Sequence, residues 1–285
     1  MSKLKIAVQK SGRLFDDSIK LLKDCGISID NGRDQLKAGA RNFPIEVLYL
    51  RNSDIPQYVE DGVADIAIIG ENLIIEKETE VEIIEKLGFS KCKLSLAVPK
   101  EVEYTGLSWF NGKKIATSYP NTIQDFLQKN NIQADLHEIS GSVEIAPNIG
   151  LADAVGDLVS SGSTLFKNGL VTVETLLKSE ACLVKNKNLT VEKEQILQKL
   201  LFRIQSVLRA RKSKYILMNL PNEKIPEVSN ILPVLKSPTI LPLAQEGWSS
   251  LHSVIDEGKF WEVIDHLKEA GAEGILIVPI EKIVL

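Results

Sequence analysis

Short apolar segments alternate with amphipathic segments along most of the chain, and each apolar segment has the length of a strand. The amphipathic segments carry apolar residues at helical spacing, and the first of them is followed by Gly26, a typical helix stop. The predicted strands are residues 4–8, 45–50, 65–69 and 94–98, and the predicted helices are residues 14–23 and 55–61. This order predicts βαβ units, a mostly parallel sheet and helices on its faces.

The same alternation begins again near Lys100, which predicts a second α/β lobe. Its strands are predicted at residues 114–117, 134–139 and 152–159, followed by a strand at 181–184, with helices at 121–129 and 190–210. We assign residues 1–99 and 181–212 to the first lobe and residues 100–180 to the second. Two such lobes form a cleft, where small ligands commonly bind.

The pattern changes near residue 213, where a smaller domain is predicted to begin. Strands are expected at residues 215–220, 239–243, 251–255 and 274–279, and helices at 223–232 and 260–270. The order β-α-β-β-α-β predicts a ferredoxin-like domain over residues 213–285.

Composition excludes several classes of function. A chain of 285 residues with 44% hydrophobic content can form two or three domains with real cores. The net charge of −4 indicates no nucleic-acid partner, and three scattered cysteines and three histidines indicate neither a disulfide framework nor a zinc site. No apolar segment has signal-peptide or transmembrane length, so we expect a cytoplasmic protein without a membrane partner.

The most informative chemistry lies in a loop of small residues, here named the hydroxyl loop, at residues 160–164. It consists of Ser160, Ser161, Gly162, Ser163 and Thr164. Its backbone can direct N–H groups at an anion, with a strand entering and a helix leaving. Thr164 could instead be an ordinary helix N-cap. Asp153 and Asp157, just upstream, can accept hydrogen bonds from vicinal hydroxyls, so the segment fits a sugar phosphate.

A second candidate anion site follows the first predicted strand at residues 9–13, here named the basic loop. It consists of Gln9, Lys10, Ser11, Gly12 and Arg13. A strand, a glycine turn with two cations and a helix are typical of phosphate sites. The alternative is a solvated loop at a helix start.

Three weaker candidates accompany these loops. Gly70, Glu71 and Asn72 end a buried strand at the edge where ligands of α/β proteins collect, although a plain strand-to-helix turn is the alternative. Arg51 is a further basic residue, but lone arginines are usually solvated. Tyr119 could stack on a base or simply hold its own loop.

Two motifs resemble those of one enzyme family, ATP phosphoribosyltransferase. Its main motif is matched by Glu144, Gly150, Asp157, the segment Ser161-Gly162-x-Thr164, and Leu165, while residues 9–14 are similar to its N-terminal motif. The resemblance covers essentially the whole chain. It implies an α/β fold with a two-lobed, periplasmic-binding-protein-like catalytic region and a C-terminal ferredoxin-like regulatory domain.

The resemblance also implies an activity. ATP and 5-phosphoribosyl 1-pyrophosphate (PRPP) would condense to N1-(5-phosphoribosyl)-ATP and pyrophosphate, the first step of L-histidine biosynthesis, with Mg²⁺ as cofactor. The resemblance also implies feedback inhibition by L-histidine. It further implies that copies of the chain assemble into a homo-oligomer, from dimer to hexamer. No nucleic acid or membrane is implied.

Roles follow from the same resemblance. The hydroxyl loop and Glu144 would bind PRPP, with Asp153 and Asp157 on the ribose and its nascent cation. Lys10, Arg13 and Arg51 would meet pyrophosphate or the ATP triphosphate. The remaining residues expected on the ATP and pyrophosphate side are Gln9, Ser11, Gly12, Gly70, Glu71, Asn72 and Tyr119. Thr239 and Ala272 are the expected histidine contacts, and the metal ligands are unknown.

Two other interpretations stay open from the residues alone. Two α/β lobes with a cleft also describe solute-binding proteins and the effector domains of transcription regulators, which need no paired aspartates beside a phosphate loop. The second interpretation is a phosphoribosyltransferase that acts on another base, because no residue pattern in the sequence identifies the base that the enzyme accepts.

Overall fold

The computed structural model describes residues 2–30, 36–160, 162–232 and 237–284. The chain divides into two compact units, one formed by Met1–Lys23 and Ile27–Ile196, the other by Asp24–Gly26 and Leu197–Leu285. The second unit therefore begins within a long helix, before the domain boundary that the sequence predicts near residue 213.

The first unit contains sixteen of the helices and strands named here. In chain order they are β1 (Leu4–Gln9), α1 (Arg13–Asp24), β2 (Lys37–Gly39), β3 (Ile45–Leu50), α2 (Ile55–Glu60), β4 (Ile66–Gly70), α3 (Glu71–Lys77), β5 (Glu82–Lys86), β6 (Cys92–Pro99), β7 (Lys114–Thr117), α4 (Pro120–Lys129), β8 (Asp135–Glu138), β9 (Ala154–Val159), α5 (Ser163–Lys167), β10 (Leu170–Ser179) and β11 (Ala181–Lys185). Helix α6 (Val191–Arg211) then continues into the second unit.

The first lobe is built on a six-stranded sheet in the order β2-β3-β1-β4-β11-β5. Strand β1 runs parallel to β3 and β4, whereas β11 is antiparallel to β4 and β5, and β2 is antiparallel to β3. Four of the six strands, β3, β1, β4 and β5, therefore point in one direction, as predicted, whereas β2 and β11 run against them; β11 does so because it returns from the second lobe. The central strands β1 and β4 are apolar, as expected for strands covered on both faces, and their Ile6 and Ile68 are fully buried.

The second lobe is built on a five-stranded sheet in the order β10-β6-β9-β7-β8. Strand β6 pairs antiparallel with both β10 and β9, while β7 is parallel to β9 and β8. Because β6 belongs here, the predicted lobe boundary at residue 99 is wrong and the true one precedes Cys92. Helix α4 lies close to β9 at Gly156, where an added Cβ would collide with Ile123 Cδ1.

A buried carboxylate joins the two lobes. Glu76, on α3 of the first lobe, is only 4% exposed. It accepts hydrogen bonds from the backbone N–H groups of Asn121 (3.0 Å) and Thr122 (2.9 Å) and from the Thr122 hydroxyl (2.7 Å). The first N–H groups of a helix have no partner within it, so Glu76 supplies the acceptor that α4 lacks.

The second unit continues with a small α/β domain. Its elements are β12 (Ser213–Pro221), α7 (Ile225–Ile231), β13 (Thr239–Pro242), β14 (Trp248–Asp256), α8 (Phe260–Glu269) and β15 (Glu273–Pro279). The four strands form an antiparallel sheet in the order β13-β14-β12-β15, and Val228 and Leu267 of its two helices pack in one core with Ile216 and Leu251 of the sheet. The predicted β-α-β-β-α-β order is confirmed.

Across the described part of the chain, no helix combines the length and the apolar character needed to cross a membrane.

Candidate active site

The hydroxyl loop connects β9 to α5 at the carboxyl end of the strand. Gly162 occupies the N-cap position of α5 with φ +74°, a left-handed conformation that favours glycine, and no side chain caps this helix. The proposal that Thr164 is simply an N-cap is therefore wrong. Ser160 and Thr164 are exposed, whereas Ser161 lies outside the described residues.

Three predicted site residues meet beside this loop. Burial raises the pKa of the Asp157 carboxyl, and the nearby charge of Glu144 raises it further. Burial likewise raises the pKa of the Tyr119 hydroxyl, and Asp157 adds to that rise. One Asp157 oxygen accepts the N–H of Leu158 at 2.8 Å. Two acids and a phenol thus share one half-buried place near the end of β9.

Asp153 is not part of this group, which corrects the prediction that it binds ribose. It precedes β9, and its carboxylate accepts the N–H of Lys114, where β7 begins, at 2.9 Å. Because β7 and β9 are parallel, this is the amino end of both strands. A strand rises about 3.3 Å per residue, which puts Asp153 roughly 20 Å from the hydroxyl loop. Its carboxylate holds the start of β7.

The basic loop lies at the carboxyl end of β1, ahead of α1. Lys10, Ser11 and Arg13 are exposed, Gln9 is half-buried, and Gly12 has φ +88°. Arg51 follows β3, whose last residue pairs with Gln9, so the structure brings Arg51 next to Lys10.

Arg13 also acts across the lobes. Burial raises the pKa of the Cys92 thiol at the start of β6, and the Arg13 guanidinium opposes that rise. The basic loop therefore lies near the second sheet as well as its own.

The segment Gly70-Glu71-Asn72 proves to be a junction between the lobes. Asn72 is 5% exposed, and its backbone N–H and side-chain Oδ1 both bond the Ser179 hydroxyl, at 3.0 and 2.9 Å. Glu71 donates its N–H to the Glu180 carbonyl at 3.0 Å, and both of its carboxylate oxygens accept from Lys86, each at 3.0 Å. The carboxamide oxygen of Asn72 is thus used to hold the strand crossing at Ser179, which supports the plain-turn alternative for this residue.

A cavity of about 460 Å³ opens between these parts. Its wall includes Ser160 of the hydroxyl loop and Glu71 at the lobe junction. It also includes four lysines that the sequence analysis missed, namely Lys86, Lys91, Lys93 and Lys178. The sequence does show Lys91 and Lys93 just before a predicted apolar strand. Lysines at such positions are usually solvated, so they did not indicate a site.

The predicted histidine contacts do not share one place within the chain. Thr239 is exposed on β13, at one edge of the C-terminal sheet, whereas Ala272 is 7% exposed and precedes β15 at the other edge. Three strand spacings of about 4.8 Å separate the edges. The role of Thr239 and Ala272 in binding L-histidine stays a prediction, and the structure places the two residues at opposite edges of the sheet.

No group of three or more His, Cys, Asp or Glu side chains that could hold a metal ion occurs among residues 2–30, 36–160, 162–232 and 237–284.

Comparison with known proteins adds independent findings. The family model described as ATP phosphoribosyltransferase matches residues 51–206, and the model described as HisG, C-terminal domain, matches residues 210–282. An ATP phosphoribosyltransferase from Phocaeicola vulgatus is 57% identical over 282 residues, covering 99% of this chain and 100% of the relative.

Solved structures agree with these matches. An ATP phosphoribosyl transferase (HisG:HisZ) complex from Thermotoga maritima gives a TM-score of 0.64 at 27% identity, over 73% of this chain and 98% of that chain. The substrate binding protein of an amino acid ABC transporter gives a TM-score of 0.50 at 10% identity, over 74% of this chain and 95% of that chain, which shows the fold alone. The predicted fold class is confirmed, and the chain belongs to the ATP phosphoribosyltransferase family, pentosyltransferases that catalyse the first step of histidine biosynthesis.

Proposed function

We propose that this chain condenses ATP with PRPP to N1-(5-phosphoribosyl)-ATP and pyrophosphate. Family membership supports the reaction, and one observation in the structure carries the assignment of the site. A loop capped by Gly162 opens at the carboxyl end of β9, the strand that also carries the half-buried Asp157. This combination suits a ligand with a phosphate at one end and hydroxyls next to it.

The hydroxyl loop is assigned to the 5′-phosphate of PRPP. Backbone N–H groups freed at the β9–α5 turn can donate to phosphate oxygens, and the serine and threonine hydroxyls can add further donors. Glycine at position 162 supports this because a side chain would obstruct the approach of the phosphate to the backbone.

Asp157 and Glu144 are assigned to the ribose. As pyrophosphate leaves, the anomeric carbon gains positive charge, which a fixed carboxylate stabilises in a place with little water. Because burial raises the pKa of Asp157, this residue would lose its charge at a higher pH than an exposed aspartate. We therefore expect turnover to fall on the acid side as Asp157 takes up a proton.

Lys10, Arg13 and Arg51 are assigned to the pyrophosphate of PRPP or the triphosphate of ATP. Gln9, Ser11, Gly12, Gly70, Glu71 and Tyr119 are assigned to the nucleotide side of the cleft. The N1 atom of adenine is itself the nucleophile, so no covalent enzyme intermediate is required. Holding N1 opposite the leaving group supplies the catalysis.

Mg²⁺ is proposed as a counter-ion of the substrate phosphates. Because the described residues offer no cluster of three metal ligands, a cage made wholly of protein does not fit. Magnesium at nucleotide sites typically keeps phosphate oxygens and waters as most of its ligands.

Three further properties belong to this proposal. The C-terminal domain is proposed to mediate inhibition by L-histidine, and the chain to form a homo-oligomer, dimer to hexamer. A cytoplasmic location stays a prediction.

The proposal is tested by mixing the protein with ATP, PRPP and Mg²⁺ and following a new ultraviolet absorbance together with released pyrophosphate. Product is expected only when both substrates are present, and added L-histidine is expected to slow its formation. Binding of both ligands without product would favour a solute-binding module. Product from another nucleotide or base, with none from ATP, would favour the alternative phosphoribosyltransferase.

A further inference from the structure

Three lysines of the cavity have an unusual arrangement. Lys93 on β6 and Lys178 on β10 are direct partners in the antiparallel register, so their side chains leave the same face of the sheet. Like charges in directly opposite positions destabilise a sheet. Lys91 lines the same cavity two residues before Lys93.

These lysines differ from their neighbour Lys86. Lys86 forms an ion pair with Glu71 at 3.0 Å. In the described part of the chain, no acidic side chain forms an ion pair with Lys91, Lys93 or Lys178, although Glu180 lines the cavity. The cavity wall therefore carries an excess of positive charge that the protein itself does not neutralise.

The positively charged part of the cavity wall lies next to the hydroxyl loop. Lys93 pairs with Val159, the last residue of β9, and Ser160 begins the loop on the same cavity wall. A ligand whose monoester lies in the loop could extend a second anionic group towards the lysines. Three cations around about 460 Å³ suit a chain of two or three phosphates better than one phosphate, because each added charge can meet its own ammonium group.

We propose that Lys91, Lys93 and Lys178 form a polyphosphate subsite next to the hydroxyl loop. The inference rests on the proposed function and deepens it, since both proposed substrates carry such a chain. The pyrophosphate of PRPP and the triphosphate of ATP share this chemistry. The three ammonium groups stabilise the bound phosphate chain, and the bound anion in turn removes the repulsion between Lys93 and Lys178.

The test uses the full chain and inorganic pyrophosphate as the probe. Lys93→Met and Lys178→Met remove the charges but keep most of each apolar stem, and Lys129→Met, at the end of α4 and away from the cavity wall, is the matched control. By titration calorimetry, each cavity variant is expected to bind pyrophosphate about tenfold more weakly than wild type, since a charged hydrogen bond contributes roughly that factor. The control and Lys178→Arg are expected to keep wild-type affinity within about threefold.

Two further readouts separate this role from a purely structural one. Without ligand and at low salt, Lys178→Met is expected to melt no lower than wild type, because a repulsive pair is removed. In steady-state assays the same variant is expected to raise one KM, and the substrate affected identifies the source of the polyphosphate. Unchanged pyrophosphate affinity in a double variant that combines Lys93→Met with Lys178→Met, or unchanged KM values for both substrates in Lys178→Met, would overturn the subsite.

The outcome is separable from the proposed reaction. Wild-type protein that forms phosphoribosyl-ATP while the double variant keeps full pyrophosphate affinity refutes the subsite alone. Lysine-dependent pyrophosphate binding by a wild-type protein that forms no product refutes the reaction and leaves the subsite in place.

Discussion

The basic loop and the hydroxyl loop share one backbone plan and differ in their chemistry. Each follows a strand, turns at a glycine of positive φ and enters a helix, with Gly12 at +88° and Gly162 at +74°. The basic loop exposes Lys10 and Arg13, whereas the hydroxyl loop carries no cation and follows the strand of the half-buried Asp157. One loop therefore offers exposed charged side chains, and the other offers backbone and hydroxyl donors. The basic loop therefore suits the pyrophosphate leaving group, and the hydroxyl loop suits the 5′-phosphate, which remains attached to the ribose throughout the reaction.

The strongest test of this difference is Gly162→Val. A β-branched side chain at φ +74° is strained, and it would stand where phosphate approaches the backbone. Losing two charge-assisted hydrogen bonds is expected to lower kcat/KM for PRPP by roughly 1,000-fold. Gly169→Val is the control, because Gly169 has a similar φ of +71° but follows α5. Equal losses in both variants would reduce the effect to backbone strain.

The second test is Asp157→Asn, which keeps the shape and removes the charge. We expect kcat to fall by about 100-fold, as for loss of one fixed electrostatic contact in the transition state. Asp153→Asn is the matched control and is expected to keep kcat, because Asp153 lies at the other end of β9. A loss in Asp153→Asn equal to that in Asp157→Asn would restore Asp153 to the site.

The same variant has a predicted pH signature in stability. The pKa of Asp157 is raised in the folded protein, so the native state holds this proton more tightly than the unfolded chain. Stability therefore falls as pH rises from the unfolded pKa through the raised folded pKa. Asp157→Asn is expected to melt higher than wild type at neutral pH, with a difference that shrinks as the solution is acidified. A difference independent of pH would contradict the assignment.

Arg13→Ala tests the basic loop with a smaller expected effect. Because neighbouring Lys10 and Arg51 remain, removing one guanidinium is expected to lower kcat by roughly tenfold. Arg13→Lys should recover part of this loss, since it restores charge without the planar fork. Wild-type turnover by Arg13→Ala would dismiss the assignment of Arg13 to phosphate.

The smallest effect is expected from Gly12→Ala. In the basic loop the proposed phosphate contacts are made by side chains and not by the backbone, so an added methyl group blocks none of them. A Cβ at position 12 would meet only Gln9 Nε2, at 3.5 Å. Steady-state assays should show both KM values within about threefold of wild type, and denaturant unfolding should show about 1 kcal/mol of lost stability from the positive φ. A KM increase as large as that of Gly162→Val would erase the distinction between the loops.

Periodicity predicted the long apolar elements well because burial decides them. The bounds of β3 and β7 agree with the prediction residue for residue. Strands β2 and β5 and helix α3 were missed, since β2 has three residues, three of the five residues of β5 are charged, and α3 follows β4 without an intervening loop. The direction of β11 was also missed, because its reversal depends on a chain crossing that no local pattern encodes.

The candidate site shows the same limit. Asp153 and Asp157 are four positions apart, a spacing that suggests neighbours on a helix but separates residues along a strand. The basic and hydroxyl loops were found because their residue types are unusual. The cavity lysines were not found, since Lys93 and Lys178 are 85 positions apart in the sequence and become neighbours only through β-pairing.

The contact made by Glu76 has a consequence for folding. Asn121 and Thr122 rely on an acceptor 45 and 46 positions earlier in the chain, so α4 gains a satisfied first turn only after α3 is in place. A fragment containing the second lobe alone would leave those donors to water and would lose the cap. The lobes are therefore expected to unfold together, as one cooperative transition, although each has its own sheet.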